Sequence, residues 1–214
     1  MPNINETVQE PLPKQRKLRV MVACVSAVAF SVAAGTLAPE PSKANPLGGK
    51  WRNPSYTYFS QLNGYSGYDS PVTSAAAGWT KFGGFTISAV SATSATVSVA
   101  VNNYGPTDWL GIGTPGPSHS SGTYTYGSIK INAGWLNRRH FNCLLPDHST
   151  CTYAADTSAK KKCVVVHEMG HVIGLAHTSA GSNKVMNVDH GQGCHVKGLT
   201  NPTSYDKNDV AEIY

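Results

Sequence analysis

An eleven-residue stretch that begins at His167 constrains the fold of this 214-residue chain more than any other part of it. If the stretch is helical, His167 and His171 lie four residues apart, so both imidazoles leave one face of the helix. Two ring nitrogens with this spacing can bind one metal ion, and Glu168, roughly 100° further round, lies beside the ion. Gly174 can end the helix because glycine adopts a positive φ without steric cost, and the reversed chain brings His177 back as a third ligand.

Three neutral imidazoles and one water form the open tetrahedral arrangement that is typical of catalytic zinc. The alternative interpretation is a buried amphipathic helix whose histidines are satisfied core residues. We favour one catalytic zinc ion for two reasons. Five motif residues occur at their fixed positions within eleven residues, and the segment can form the helix that the catalytic mechanism requires. Cys163 precedes His167 by four residues and could lie near the metal, but three histidines already fill the protein positions.

The stretch resembles the HExxHxxGxxH pattern of the metzincin zinc peptidases at every fixed position. Met186 follows His177 by nine residues, and the sequence Val185-Met186-Asn187 is similar to the Met-turn of that clan, whose methionine lies beneath the metal. The short spacing from His177 to Met186, and the sequence of residues 208–213, resemble the matrixins, the branch that contains the matrix metalloproteinases. The resemblance implies an α+β fold with a twisted, mostly parallel mixed sheet of about five strands, three helices, and the zinc site at the long helix.

The same resemblance implies how a substrate binds. An edge strand would receive an extended peptide by strand addition. The residues that match this strand are Leu110, Gly111, Ile112 and Gly113. Animal matrixins hold a second, structural zinc ion, whereas His119 stands alone in its loop here and is interpreted as a surface histidine. Calcium is a possible further ion, and the sequence does not locate a site for it.

Residues 1–44 are typical of a secretory signal peptide, which leaves residues 45–214 as the zinc-peptidase domain. Basic residues precede an apolar run of fifteen residues from Val20 to Ala34, which is shorter than the roughly 20 residues of a membrane span. Small residues indicate cleavage after Ala44, with Ala38 as the alternative, and an uncleaved anchor is the competing interpretation. We therefore predict a secreted, extracellular protein without stable membrane association after cleavage.

The cysteine count predicts two disulfides. The four cysteines that follow the leader are Cys143, Cys151, Cys163 and Cys194. An even number in an exported chain is typical of a disulfide framework, with three possible connectivities for four cysteines. The short loop between them favours Cys143–Cys151, which leaves Cys163–Cys194 as the second pair.

Hydrophobic periodicity and turn residues predict the other elements. The expected strands are 56–59, 85–87, 96–101, 108–113 and 127–132. Residues 114–122 are expected to be a loop rich in Gly, Pro and Ser. Ser70 is the expected N-cap of a first helix, and the zinc helix is expected to begin at one of residues 156–158. The last helix is expected to run from Asp206, as its N-cap, to Ile213.

These observations predict a secreted zinc endopeptidase in which Glu168 is the general base, taking a proton from the attacking water and passing it to the leaving amine. A catalytically idle zinc-binding module for adhesion and a zinc hydrolase of a non-peptide amide are the alternatives. The intact Glu168 argues against the idle module, because a binding module needs no general base.

An extended peptide or protein is the expected partner, and we expect the protein to be a monomer. No Lys/Arg stripe with interleaved aromatic residues indicates a nucleic-acid partner. The segment from Asn187 to His195 is expected to wall the primed side of the cleft. The sequence does not define the side-chain preference, the physiological substrate or an inhibitor.

Overall fold

A five-stranded sheet in which one edge strand runs against the others organises the fold. The computed structural model describes residues 46–105, 107, 109–118, 122–136, 157–178, 183–187 and 199–214, and all of them belong to the compact unit Pro39–Tyr214. The predicted leader lies outside the described residues, as do Cys143, Cys151 and Cys194.

Seven strands occur in the described residues. They are β1 (Gly49–Trp51), β2 (Ser55–Gln61), β3 (Thr86–Ala89), β4 (Val97–Asn102), β5 (Gly111–Gly116), β6 (Gly122–Tyr124) and β7 (Tyr126–Asn132). The main sheet has the order β3–β2–β4–β7–β5, in which every pair is parallel except β5 with β7. Strands β1 and β6 form a separate parallel pair. The predicted mostly parallel, mixed sheet of about five strands is therefore confirmed.

Four α-helices complete the described part of the chain. They are α1 (Asp69–Phe82), α2 (Ala133–Leu136), α3 (Ser158–Ile173) and α4 (Ser204–Ile213). Helix α2 is a single turn, so the three longer helices match the predicted number, and the coarse α+β class is confirmed. None of the helices in the described ranges is long and apolar enough to span a membrane.

Helix α3 has the two ends that the sequence predicts. The Thr157 hydroxyl accepts a hydrogen bond from the Lys160 backbone N–H at 3.3 Å and caps the N-terminus. At the C-terminus, Gly174 has φ of 118°, in the left-handed region that favours glycine. A Cβ there would lie 3.1 Å from the Gly49 carbonyl oxygen and 3.3 Å from the Tyr124 ring, so space also requires glycine.

Two predicted N-caps are wrong by a few residues. Helix α1 begins at Asp69 behind the N-cap Tyr68, because a 3-10 turn already leads into it, so Ser70 lies inside the helix. Helix α4 is capped by Thr203, whose side chain accepts from the Asp206 N–H while the Asp206 carboxylate accepts from the Thr203 N–H. This is a capping box, so Asp206 is the third helical residue rather than the cap.

The edge strand β5 is displaced from its predicted position. It runs to Gly116 through residues expected to form a loop, because Gly111 to Gly116 pair in register with residues 126–131 of β7. A long-range partner therefore makes Pro115 part of a strand, although proline is depleted in strands and common in turns.

The core lies between the sheet and helices α1 and α3. Val97, Val99 and Val101 of β4 are at most 1% exposed, whereas the alternating residue Ser98 is exposed, so one face of the strand is buried. The indole Nε1–H of Trp79 in α1 donates to the Val166 carbonyl of α3 at 2.9 Å. This contact fixes α3 within the core and so fixes the residues that α3 carries.

Candidate metal centre

The structure brings three histidines together at the end of α3. His167 and His171 project from its last turns, and the chain reverses at Gly174 to bring His177 back. The Nε2 atom of His177 lies 3.1 Å from the Nε2 atoms of both other histidines. In the described residues these three side chains form the group that could hold a metal ion.

Backbone carbonyls orient two of the rings. The Nδ1 atom of His167 lies 2.7 Å from the Val185 carbonyl oxygen, and the Nδ1 atom of His171 lies 2.8 Å from that of Leu175. A carbonyl oxygen only accepts, so each Nδ1 carries the proton and each Nε2 presents its lone pair. Burial and, to a smaller extent, the neighbouring His177 lower the pKa of His171 to about 4 against the raising effect of the hydrogen bond to Leu175, which keeps this ring neutral at pH 7.

The donor set fits a tetrahedral metal ion. Metal–nitrogen bonds of 2.0–2.1 Å at tetrahedral angles place ligand nitrogens about 3.3 Å apart, close to the 3.1 Å separations between the Nε2 atoms. A single proton on His177 could satisfy only one of the two lone pairs that face it, whereas a cation between the rings satisfies all of them. Hydrogen bonds from the Nδ1–H group to a backbone carbonyl are typical of metal-binding imidazoles.

Glu168 is buried beside the edge strand. Its side chain is 6% exposed, and burial raises its pKa to about 8, against the lowering effect of the hydrogen bond from the Gly113 backbone N–H. A Cβ at Gly111 would run into the Glu168 side chain, and one at Gly113 would run into the Glu168 carbonyl. The two glycines therefore allow α3 and β5 to approach closely.

The segment around Met186 lies under α3. Met186 is fully buried, and its Sδ atom fills the space that a side chain at Gly170 would need. The Thr178 N–H donates to the Met186 carbonyl at 2.8 Å, and Thr178 forms a parallel bridge with Asn187. The turn that carries His177 is therefore tied to this segment.

The four residues predicted for substrate binding lie at one edge of the sheet. Gly111, Ile112 and Gly113 belong to β5, and Leu110 immediately precedes it. The side chain of Ile112 is 39% exposed, whereas Leu110 packs partly on the core. Of the four, the structure places Gly111 and Gly113 directly beside Glu168, on an outer strand.

Cys163 lies one turn before His167 on α3, where it is 1% exposed and disulfide-bonded. The other cysteines lie outside the described residues, so the pairing with Cys194 stays a prediction. His119 and most of the expected primed-side wall, including its end at His195, also lie outside them.

The sequence indicates Asp206 only as a helix cap, and it does not indicate the buried contacts that Lys184, Asp206 and Asp209 make near the site. Lys184 and Asp209 form a buried ion pair at 2.8 Å, and their side chains are 3% and 5% exposed. Asp206 is fully buried and accepts hydrogen bonds from the Val185 N–H. The Thr-x-x-Asp spacing of residues 203–206 indicates a capping box, but nothing local indicates the partner Val185.

Comparisons with known proteins leave the family open. No protein-family model and no curated protein sequence matches the chain. Among solved structures, a chain of the "GM1 bound form of the ECX AB5 holotoxin" is similar with a TM-score of 0.49 and 17% identity, over 75% of this chain and 80% of that chain. A similarity of this size carries no argument about function.

Proposed function

We propose that this protein is a secreted zinc-dependent endopeptidase, a metzincin of the matrixin type. The observation that carries the proposal is the convergence of three imidazole Nε2 atoms, next to a buried glutamate in the same helix. The spacing of these residues and the buried Met186 that follows them agree with the sequence resemblance. Imidazole donors in a tetrahedral arrangement with an open position favour zinc over magnesium or calcium, which prefer oxygen ligands.

Each residue of the site has a distinct role. His167, His171 and His177 hold the ion, and the carbonyls bonded to His167 and His171 fix the ring orientation. A zinc ion held there would supply Lewis acidity for the scissile carbonyl and would lower the pKa of a water towards about 7. The Glu168 carboxylate takes the proton of the attacking water and passes it to the leaving amine.

The position of β5 suits an extended peptide substrate. The strand lies at the edge of the sheet, so alternate backbone groups point away from β7 and can pair with another chain. The Gly113 N–H already points to the Glu168 carboxylate. A peptide that adds to this edge would therefore lie beside the general base.

A casein or gelatin zymogram of residues 45–214, with and without o-phenanthroline, tests the proposal. We expect proteolysis that the chelator abolishes and that added Zn²⁺ restores. A zinc-loaded protein without activity on either substrate would favour the idle binding module. Hydrolysis of small amides without proteolysis would favour the non-peptide hydrolase. Proteolysis that is indifferent to the chelator would contradict the proposal.

A further inference from the structure

The buried carboxylate of Asp206 and the candidate metal ligand His167 both form hydrogen bonds with the backbone of Val185. The Val185 carbonyl oxygen lies 2.7 Å from Nδ1 of His167, and the Val185 N–H donates to the two carboxylate oxygens of Asp206 at 3.1 and 3.3 Å. Val185 and Asp206 are fully buried, and His167 is 8% exposed. The backbone of Val185 is thus held on one side by α4 and on the other by a histidine of the metal centre.

Helix capping does not require the hydrogen bonds that the Asp206 carboxylate accepts from the Val185 N–H. Within α4, the capping box uses the Thr203 N–H and hydroxyl, which donate to Asp206 Oδ2 at 2.8 and 2.7 Å. The contact with Val185 spans 21 residues of sequence and leaves the helix altogether. The same carboxylate therefore caps α4 and fixes the segment before Met186.

We propose that Asp206 is a positioning residue for the metal centre. By fixing the Val185 backbone, it holds the carbonyl that selects the Nδ1–H tautomer of His167 and aims the Nε2 lone pair at the ion. The inference rests on the metal site of the proposed function but not on peptidase activity. Loss of such an outer partner typically weakens metal affinity by about 10- to 100-fold.

Three variants separate positioning from helix stability. D206A removes the bonds to both Val185 and Thr203, and D206N keeps one carbonyl oxygen as an acceptor. The matched control is T203A, which removes the hydroxyl of the capping box and leaves both Val185 bonds to the carboxylate in place. All three variants are expected to lower the melting temperature, so stability alone does not distinguish them.

The first measurement is the Kd for Zn²⁺, by competition with a chromophoric chelator. We expect D206A to raise the Kd by about 10- to 100-fold, D206N to raise it less, and T203A to leave it within about threefold of the parent. Equal effects of D206A and T203A would overturn the inference. If D206A does not fold, a Kd for D206N equal to that of T203A would overturn it.

The second measurement needs no metal. Long-range ¹H–¹⁵N correlation of the imidazoles in the chelator-treated protein reports the tautomer of His167. We expect the Nδ1–H tautomer in the parent and in T203A, and a mixture of tautomers in D206A or D206N. An unchanged Nδ1–H tautomer in both Asp206 variants would overturn the inference. A parent protein that binds no Zn²⁺ would instead contradict the proposed function, and the tautomer would still decide the role of Asp206.

Discussion

At neutral pH the buried carboxyl group of Glu168 holds a proton in the metal-free protein, because burial raises its pKa to about 8. A divalent cation nearby favours the ionised form and lowers the pKa again. In the proposed mechanism, burial would make Glu168 a stronger base than an exposed glutamate, and a bound cation would keep it ionised and able to accept a proton. In the proposed mechanism, the metal ligands and the general base are different residues, so replacing the base should leave metal binding intact.

E168Q should retain zinc and lose activity. The amide has nearly the same shape as the carboxyl group but cannot take up a proton, so we expect kcat/KM for a peptide to fall by about 10²- to 10⁴-fold or more. The zinc content after dialysis, measured by atomic emission, should equal that of the parent. A metal-loaded E168Q with parental activity would exclude Glu168 as the general base.

The pKa values of the site also predict how the stability of the metal-free protein depends on pH. Glu168 has its pKa raised from 4.5 to about 8, so its favourable contribution is complete below pH 4.5 and is lost as the pH rises to 8. His171 has its pKa lowered from 6.5 to about 4, so its contribution is complete above pH 6.5 and is lost as the pH falls towards 4. The two effects oppose each other below pH 6.5, and above it only that of Glu168 remains.

Between pH 6.5 and 8, the free energy of unfolding in excess chelator should therefore fall with pH, by at most about 1.4 kcal/mol per pH unit from this group. Urea unfolding at several pH values in this window measures the slope. E168Q is the control, because glutamine does not titrate and its slope should be flatter. Identical slopes for the two proteins would show that Glu168 does not hold the extra proton.

At the level of elements, residues near both ends of the described chain donate hydrogen bonds to the carbonyl groups at the C-terminus of α3. The final carbonyls of a helix have no partners within it. Here the Trp51 indole donates to the Val172 carbonyl at 2.8 Å, the Tyr214 hydroxyl to that of Ile173 at 2.7 Å, and the Leu47 N–H to that of Gly174 at 2.9 Å. The turn that carries His177 thus begins from a helix end with satisfied carbonyls.

Y214F tests how much these hydrogen bonds contribute to the free energy of unfolding. The variant removes the hydroxyl that donates to the Ile173 carbonyl and accepts from the backbone N–H of Trp51 at 3.1 Å. The Ile173 carbonyl and the Trp51 backbone N–H therefore each lose a partner. We expect the free energy of unfolding to fall by about 1–3 kcal/mol, measured by urea denaturation. Y205F is the matched control, because Tyr205 is 45% exposed and should change stability by less than about 0.5 kcal/mol. Equal effects of the two substitutions would contradict the assigned role.

The elements also show which parts of the structure a sequence can predict. The candidate ligands His167, His171 and His177 lie within one helix and the turn that follows it, so local spacing is enough to bring them together. The true length of β5 depends on pairing with β7, and the link from Asp206 to Val185 crosses 21 residues. No local sequence pattern indicates such long-range contacts. An aspartate near a helix start likewise fits the N-cap or the third position until its partner, here Thr203, is known.

At the scale of the whole molecule, two of the three candidate metal ligands, His167 and His171, belong to a helix of the core. Helix α3 contributes a continuous run of buried residues from Cys163 to Gly170, and Met186 packs beneath it without exposure. The candidate ligands His167 and His171 therefore cannot move apart unless α3 unfolds or leaves the core, and His177 is held near them by the hydrogen bond from the Thr178 N–H to the Met186 carbonyl. Binding to the folded state alone stabilises a protein by mass action, so metal binding should be coupled to global unfolding.

Zn²⁺ at about 100 times its Kd should accordingly stabilise the chelator-treated protein by about 2.7 kcal/mol, which corresponds to a rise in Tm of about 5–10 °C for a domain of this size. Circular dichroism during heating measures the shift. Mg²⁺ should give none, because it prefers oxygen ligands in octahedral geometry. H177A keeps the two helical histidines and loses the third, so its shift at the same zinc concentration should be much smaller. A parental shift in H177A would place the third ligand elsewhere, and an equal shift with Mg²⁺ would exclude an imidazole site as the source of the stabilisation.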